Sequence, residues 1–179
     1  MSKGKIEKKL RILDLGCGKK KREGAIGVDF SDRHAADVIH DLNVSPYPFN
    51  DEEFDEVYLD NVLEHLKDPI RVLEEVYRIF KPRGTVKVIT PYFRSVWACI
   101  NLTHKHFFTV DSFAYFDPHH PICLRYDYTL ARFSVDKIVF NETLKNGLMK
   151  KIIVLLANIY PRIYKYYFSH FYPLDDITY

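Results

Sequence analysis

The stretch that decides the fold is Leu13-Asp14-Leu15-Gly16-Cys17-Gly18, which is soon followed by Gly27-Val28-Asp29-Phe30-Ser31. The first stretch predicts a buried strand over 11–15 that leads into a turn with two glycines. Glycine lets backbone N–H groups approach a ligand that a Cβ would hold away. The second stretch predicts a neighbouring strand over 25–28 that ends in a carboxylate. Together they predict the beginning of an α/β sheet with a ligand site at its edge.

The acid after the second strand indicates what kind of ligand binds. A carboxylate at this position can accept hydrogen bonds from ribose hydroxyls, so an adenosine-containing ligand is expected. A dinucleotide site also requires a third glycine, in the pattern G-x-G-x-x-G, so that a helix N-terminus faces the pyrophosphate. Lys21 stands where that glycine would fall. This departure counts against NAD.

The rest of the chain continues the α/β pattern. Asp68 and Pro69 are a good N-cap and first residue for an amphipathic helix over 69–80. Strands are predicted over 38–40, 54–59, 85–90, 133–140 and 177–179. In a parallel sheet the ligand crevice lies at the carboxyl ends of the strands. The glycine turn, Asp29, Asp41 and Asn61 all fall at such ends, which predicts one shared site.

These motifs resemble a known family. Residues 14–18 look like the first motif of class I S-adenosylmethionine (SAM) dependent methyltransferases. The likeness continues in the family's order through Asp41-Leu42 and residues 54–57, 62–66 and 81–84. It implies a Rossmann-like α/β fold with a mostly parallel twisted sheet of about seven strands and helices on both faces. It also implies one domain over 1–179, with a cofactor-binding half at 1–93 and a substrate-side half at 94–179.

The link between the first two strands departs from the family pattern. It has only about ten residues, and it includes the basic run 19–22. A crossover between parallel neighbours usually needs a dozen residues or more, so the first helix is predicted to be shortened to a turn or a basic loop. The basic run is either a solvated surface segment or a positively charged loop. Such a loop would attract the carboxylate of SAM or an anionic substrate.

The resemblance implies SAM as the cofactor and S-adenosylhomocysteine (SAH) as its product. Asp29 would hold the ribose, Asp41 the adenine amino group, and Leu42 would pack against the adenine ring. Without the surrounding motifs, Asp29 and Asp41 would be read as simple strand-end caps. The implied cofactor contacts are Asp14, Leu15, Gly16, Cys17, Gly18, Asp29, Phe30, Asp41, Leu42 and Asn61.

Three histidines are the candidate catalytic residues. His104 and His106 follow the fifth strand, and His65 follows the fourth. Histidine titrates near neutral pH, and methylation of a hydroxyl needs its proton removed. Positioning of substrate and structural hydrogen bonding remain alternatives, and for His65 a structural or gating role. Two histidines two residues apart could chelate zinc, but no further ligand has suitable spacing, so no metal is predicted.

The expected reaction is in-line displacement at a sulfonium methyl. SAM brings its own activation, so the protein has to align the reactants, exclude water and remove a proton. An aromatic cluster, including Tyr92, Trp97 and Phe107, is expected to enclose the acceptor. The chain lacks an Asn/Asp-Pro-Pro-Tyr-like signature, which favours a small-molecule or saccharide acceptor methylated at oxygen. The alternatives are a silent SAM/SAH-binding regulator and a NAD-dependent oxidoreductase.

Composition indicates which partners and which cellular location to expect. The net charge is +2 over 179 residues, and no RNA- or DNA-binding module is visible, so no nucleic-acid partner is expected. Three cysteines without paired spacing and the absence of a signal-like apolar stretch predict a cytoplasmic location. Residues 144–172 are cationic and aromatic. They are expected to cover a sheet face, or alternatively to mediate a homodimer or a weak membrane-surface contact.

Overall fold

The computed structural model describes residues 10–33, 35–141, 148–170 and 173–179. They form a seven-stranded sheet in the order β3-β2-β1-β4-β5-β7-β6. Strand β7 is antiparallel to both of its neighbours, and the other pairs are parallel. This confirms the predicted mostly parallel sheet. The strands are β1 Ile12–Leu15, β2 Ala25–Asp29, β3 Val38–Ile39, β4 Phe54–Asp60, β5 Phe80–Pro91, β6 Val139–Asn141 and β7 Asp176–Thr178.

The best-defined helix begins where the sequence predicts it. The Asp68 carboxylate accepts hydrogen bonds from the N–H groups of Ile70 and Arg71 at 3.0 and 3.2 Å, and Pro69 occupies the first turn. Strand β5 begins directly after this helix, at Phe80, because Phe80 pairs with Phe54 across an irregular ladder. The predicted start near residue 85 was therefore late. The longer helices are α1 Pro69–Ile79, α2 Val96–Ile100, α3 Pro121–Tyr126 and α4 Leu148–Ile159.

The link between β1 and β2 is a turn. Strand β1 ends at Leu15 and β2 begins at Ala25, so the residues between them make bends and turns only. This confirms the prediction of a shortened first helix. An ion pair and a cation–π contact hold the loop in place: Lys21 pairs with Asp37 at 2.7 Å, and the Arg22 guanidinium lies 3.8 Å from the centre of the Tyr58 ring. Two of the four basic residues, Lys21 and Arg22, therefore make contacts within the protein.

The register of the ladders shows which face of the sheet is covered. Leu13 is paired with Val57, and Val57 with Val86, so all three point to the same face. Helix α1 packs its buried side chains against this face. The pairs Thr90–Ile177 and Ile177–Phe140 extend the face to the sheet edge.

Helix α4 packs on the same face, because Ala157 lies in the cluster that contains Phe140 and Ile177. Helices α1 and α4 thus share one face of the sheet. The opposite face presents Asp14, Glu56, Tyr58 and Lys87 among others. In the described part of the chain, the links between β1 and β2 and between β2 and β3 contain turns and bends but no helix.

Helix α4 leaves much of its apolar surface uncovered. Ala157 is buried and Ile153 is half-buried against the cluster that contains Phe140, whereas Leu155 and Ile159 are more than half exposed. Residues 144–172 were expected to cover a sheet face. Only one side of α4 does so, and its other side is exposed. Across the described ranges, none of the helices reaches the combined length and hydropathy that a bilayer span requires.

Two adjacent residues of β1 test the one-sided core. Leu13 is fully buried under α1, whereas Ile12 is half-buried on the other face. Leu13→Ala is expected to lower the free energy of unfolding by about 2–5 kcal/mol, because it leaves a cavity in the core. Ile12→Ala, the matched control, should cost about 1 kcal/mol. Equal losses in urea denaturation would contradict the assignment of faces.

Candidate functional site

The turn after β1 has two glycines with left-handed backbone angles, φ +69° at Gly16 and +54° at Gly18. The N–H groups of Gly16 and Cys17 donate to the Val28 carbonyl at 2.8 and 3.1 Å. The N–H of Gly18 donates to Oδ2 of Asp29 at 3.0 Å. All three N–H groups are therefore used to join the ends of β1 and β2. This differs from the expectation that they contact a ligand directly.

The two glycines serve different purposes. A Cβ at Gly16 would lie 2.4 Å from Cγ2 of Val62, so this position needs glycine for close packing. A Cβ at Gly18 would meet no atom within 4 Å. The space beside Gly18 is thus open. Cys17, between them, is buried with its Sγ against Gly27, and burial raises the pKa of its thiol. That thiol is therefore a packing group.

Asp14 and Leu15 lie inside the protein. Leu15 is fully buried in the core under α1. Asp14 is buried on the opposite face, where its Oδ2 accepts a hydrogen bond from the N–H of Arg22 at 2.8 Å. Burial raises the pKa of the Asp14 carboxyl. Both side chains shape the turn rather than line an open surface.

The carboxylate at the end of β2 is the most constrained acid of the site. Asp29 is only 5% exposed, and it accepts hydrogen bonds from Gly18 through Oδ2 and from the N–H of Ser31 through Oδ1. These bonds fix the direction of the carboxylate. The next residue, Phe30, is 74% exposed. An oriented acid beside an exposed aromatic ring can bind a ribose and a flat ring together.

The residues after β3 divide between surface and core. Asp41 is exposed, and its Oδ1 accepts hydrogen bonds from the N–H and the Nδ2 of Asn43 at 2.9 and 2.8 Å. These bonds hold the pKa of Asp41 below its usual value. Leu42 is buried, and its carbonyl accepts from the Tyr47 hydroxyl at 2.9 Å. The Leu42 side chain packs in the core, whereas the resemblance implied that it packs against adenine.

A second group of residues follows β4. Asn61 has a left-handed backbone, φ +53°, and its N–H donates to the Ile89 carbonyl at 2.9 Å. A 3-10 helix, Leu63–His65, comes next. It carries Glu64, which is 1% exposed, and burial raises the pKa of its carboxyl to about 7. Glu64 was part of a family motif in the sequence, but nothing there indicated a role for it.

The three candidate histidines all border this 3-10 helix. The rings of His65 and His104 meet edge to face, with their centroids 4.7 Å apart. His104 is bonded through Nδ1 to the Ala98 carbonyl, and His106 through Nε2 to the Leu66 carbonyl, both at 3.0 Å. Burial lowers the pKa of His65. The sequence-predicted histidines are therefore brought together, although His104 and His106 lie 39 and 41 positions after His65 in the chain.

Most of the predicted aromatic cluster lies in the core. Tyr92, Phe108, Phe113 and Phe116 are buried. Trp97 and Phe107 are substantially exposed. Trp97 belongs to helix α2, which also supplies the carbonyl bonded to His104. Of the cluster, these exposed rings are the ones that an acceptor can reach.

Comparisons with known proteins agree with this arrangement. Residues 13–88 match the family model described as "Methyltransferase domain". No curated protein sequence matches the chain. A solved SAM-dependent methyltransferase from Archaeoglobus fulgidus is 21% identical, with 94% of this chain and 84% of that chain aligned and a TM-score of 0.57. This likeness shows the same fold.

Other similar structures are matched over a shorter segment. The YcgJ protein from Bacillus subtilis is 21% identical over 47% of this chain and 45% of that chain, with a TM-score of 0.39. A SAM-dependent methyltransferase from Mesorhizobium loti is 22% identical over 48% of both chains, with a TM-score of 0.40. This chain thus spans about half the length of these two structures. Residues 13–88 thus match the methyltransferase domain family, in a chain that has the class I methyltransferase fold.

Proposed function

We propose that this protein is a SAM-dependent methyltransferase that methylates a small-molecule or saccharide acceptor at oxygen. The observation that carries the cofactor assignment is the pairing of Gly18 with Asp29 beside open space. An oriented carboxylate at the end of β2 suits ribose hydroxyls. The N–H groups of the turn are already bonded within the protein. They are therefore not available to cradle a pyrophosphate, which disfavours NAD.

The adenine end of the cofactor is assigned to Phe30 and Asp41. The exposed Phe30 ring offers a flat apolar surface next to Asp29. Aromatic rings gain stability from stacked or edge-to-face contact with one another. The ionised Asp41 carboxylate is an acceptor suited to the adenine amino group. In this proposal Phe30 takes the packing role that the sequence assigned to Leu42.

The methyl acceptor is assigned to the region beyond Asn61, where the histidines lie. SAM supplies an activated methyl group, so the protein's chemical task is to remove the acceptor proton. His104 donates through Nδ1 to a carbonyl, so its Nε2 carries the lone pair. In His106 the same reasoning leaves the lone pair on Nδ1. Both are candidate general bases, and His65 is a third candidate.

A silent SAM-binding regulator is the main alternative. It would bind SAH with the same residues but would form no SAH from SAM with any acceptor. A NAD-dependent oxidoreductase is the other alternative. Calorimetry with SAH and with NAD separates these ideas, because binding of NAD without SAH would overturn the proposed function.

The first prediction concerns Asp29. Asp29→Asn should weaken SAH binding about 10- to 100-fold, because a hydrogen bond to a charged group contributes about 1.5–3 kcal/mol. The matched control is Asp32→Asn, three residues away and exposed, which should leave the Kd unchanged. Isothermal titration calorimetry measures both. Equal Kd values for the two variants would remove Asp29 from the site.

The second prediction concerns proton removal. Alanine at His104 or at His106 should lower turnover at least ~100-fold for one of them, since general-base catalysis contributes about 10²–10⁴. The affinity for SAH should hold in that variant. The assay is SAH formation from labelled SAM with a panel of hydroxylated acceptors. The exposed His119→Ala serves as the control. Full activity in both test variants would exclude the base assignment.

A further inference from the structure

Three side chains at the 3-10 helix place metal-binding donor atoms close to one another. Glu64 and His65 lie on that helix, and His104 reaches it from the segment after β5. One oxygen of Glu64 and one ring nitrogen of each histidine lie within 4.8 Å of one another. This cluster is separate from the Gly18–Asp29 site at the ends of β1 and β2.

Glu64 lacks the partners that a buried carboxylate needs. It is 1% exposed, and among the described residues neither of its oxygens has a hydrogen-bond partner. The nearest ring nitrogen, Nε2 of His104, is 4.0 Å from Oε1, which is beyond hydrogen-bond distance. The ammonium of Lys105 donates instead to the His65 carbonyl at 2.7 Å. A buried acid in this state is costly unless a cation compensates for it.

The hydrogen bonds of His104 leave one nitrogen free for coordination. Its Nδ1 is 3.0 Å from the Ala98 carbonyl. A carbonyl can only accept, so Nδ1 carries the hydrogen and Nε2 carries the lone pair. That lone pair belongs to the atom nearest to Glu64.

The same reasoning holds for His65. Its Nδ1 is 2.9 Å from Oγ1 of Thr103, whose hydroxyl is also 2.9 Å from Oδ1 of Asn101. Oδ1 also accepts from the Thr103 N–H, so it is an oxygen and must take the hydroxyl hydrogen. The Thr103 oxygen therefore accepts from Nδ1–H of His65. This leaves the lone pair of His65 on Nε2.

Two imidazoles and one carboxylate make a donor set that suits zinc-type ions. In metal sites, the ligating histidines donate their other N–H to a carbonyl or another oxygen, as His104 and His65 do. Three protein ligands of the His₂Glu type leave one coordination position open, as in catalytic zinc sites. Zinc bonds of about 2.0–2.2 Å require the donor atoms to come within about 3.3 Å of one another. Small side-chain rotations would provide this closure.

We propose that Glu64, His65 and His104 bind a divalent transition-metal ion with one open coordination position. The cluster follows β4, so the open position would face the acceptor, and this second point rests on the proposed function. There the ion would lower the pKa of a bound hydroxyl. His104 then acts as a ligand, and His106 remains the candidate general base.

The test uses purified, untagged, chelator-treated protein. Titration with Co²⁺ should produce the visible absorption bands of a tetrahedral site, and one equivalent of Zn²⁺ should abolish them. Glu64→Gln and His65→Gln should each weaken Zn²⁺ binding at least ~100-fold, since loss of even an outer partner costs about 10- to 100-fold. The control is His106→Gln, which lies next to the cluster and should bind Zn²⁺ as the parent does.

Two outcomes would overturn the proposal: no Co²⁺ bands in the parent, or Zn²⁺ affinity unchanged in both test variants. Circular dichroism and SAH calorimetry on each variant show whether it is folded, and His65, half-buried at the surface, gives a second test if Glu64→Gln does not fold. The metal site and the proposed function fail separately. Zn²⁺ binding without SAH binding refutes the function, and SAH binding without Zn²⁺ binding refutes the metal site.

Discussion

The contact between Gly16 and Val62 is the constraint on which the rest of the site depends. No side chain fits between the turn after β1 and the segment after β4, because even a Cβ would come within 2.4 Å of Val62. The turn that leads to Asp29 is therefore pressed against the segment that leads to Glu64 and His65. Because Gly16 has no side chain, its backbone packs against Val62. This contact brings the proposed cofactor end and the histidine cluster next to each other.

The short link between β1 and β2 changes how the cofactor end is built. A helix would normally cross the sheet here and cover its second face. In this chain a turn takes its place, and hydrogen bonds from Gly16 and Cys17 to the Val28 carbonyl hold the two strand ends together. The Asp14–Arg22 hydrogen bond and the Lys21–Asp37 ion pair fix the loop. The space beside Gly18 stays open.

The cluster beyond β4 is electrostatically unlike the rest of the core. Burial raises the pKa of Glu64 to about 7 and lowers that of His65, so burial shifts both groups toward their neutral forms. Such perturbed pairs occur more often at functional sites than elsewhere. Here the pair lies beside His104, which is bonded to the Ala98 carbonyl of the helix that carries the exposed Trp97.

Local chemistry and motif order determined much of this protein from sequence alone. Asp68 and Pro69 predicted the start of α1 correctly, because capping depends on neighbouring residues. The glycine turn, the acid after β2 and the family motifs predicted the sheet, and the ten-residue spacing between the first two strands predicted the short link. Other features depended on pairing between distant segments: Phe80 starts β5 because it meets Phe54, and Leu42 is buried because the core closes around it. Only the tertiary structure placed Glu64 beside His104, because packing decides which partners a buried acid finds, and no spacing in the sequence encodes that.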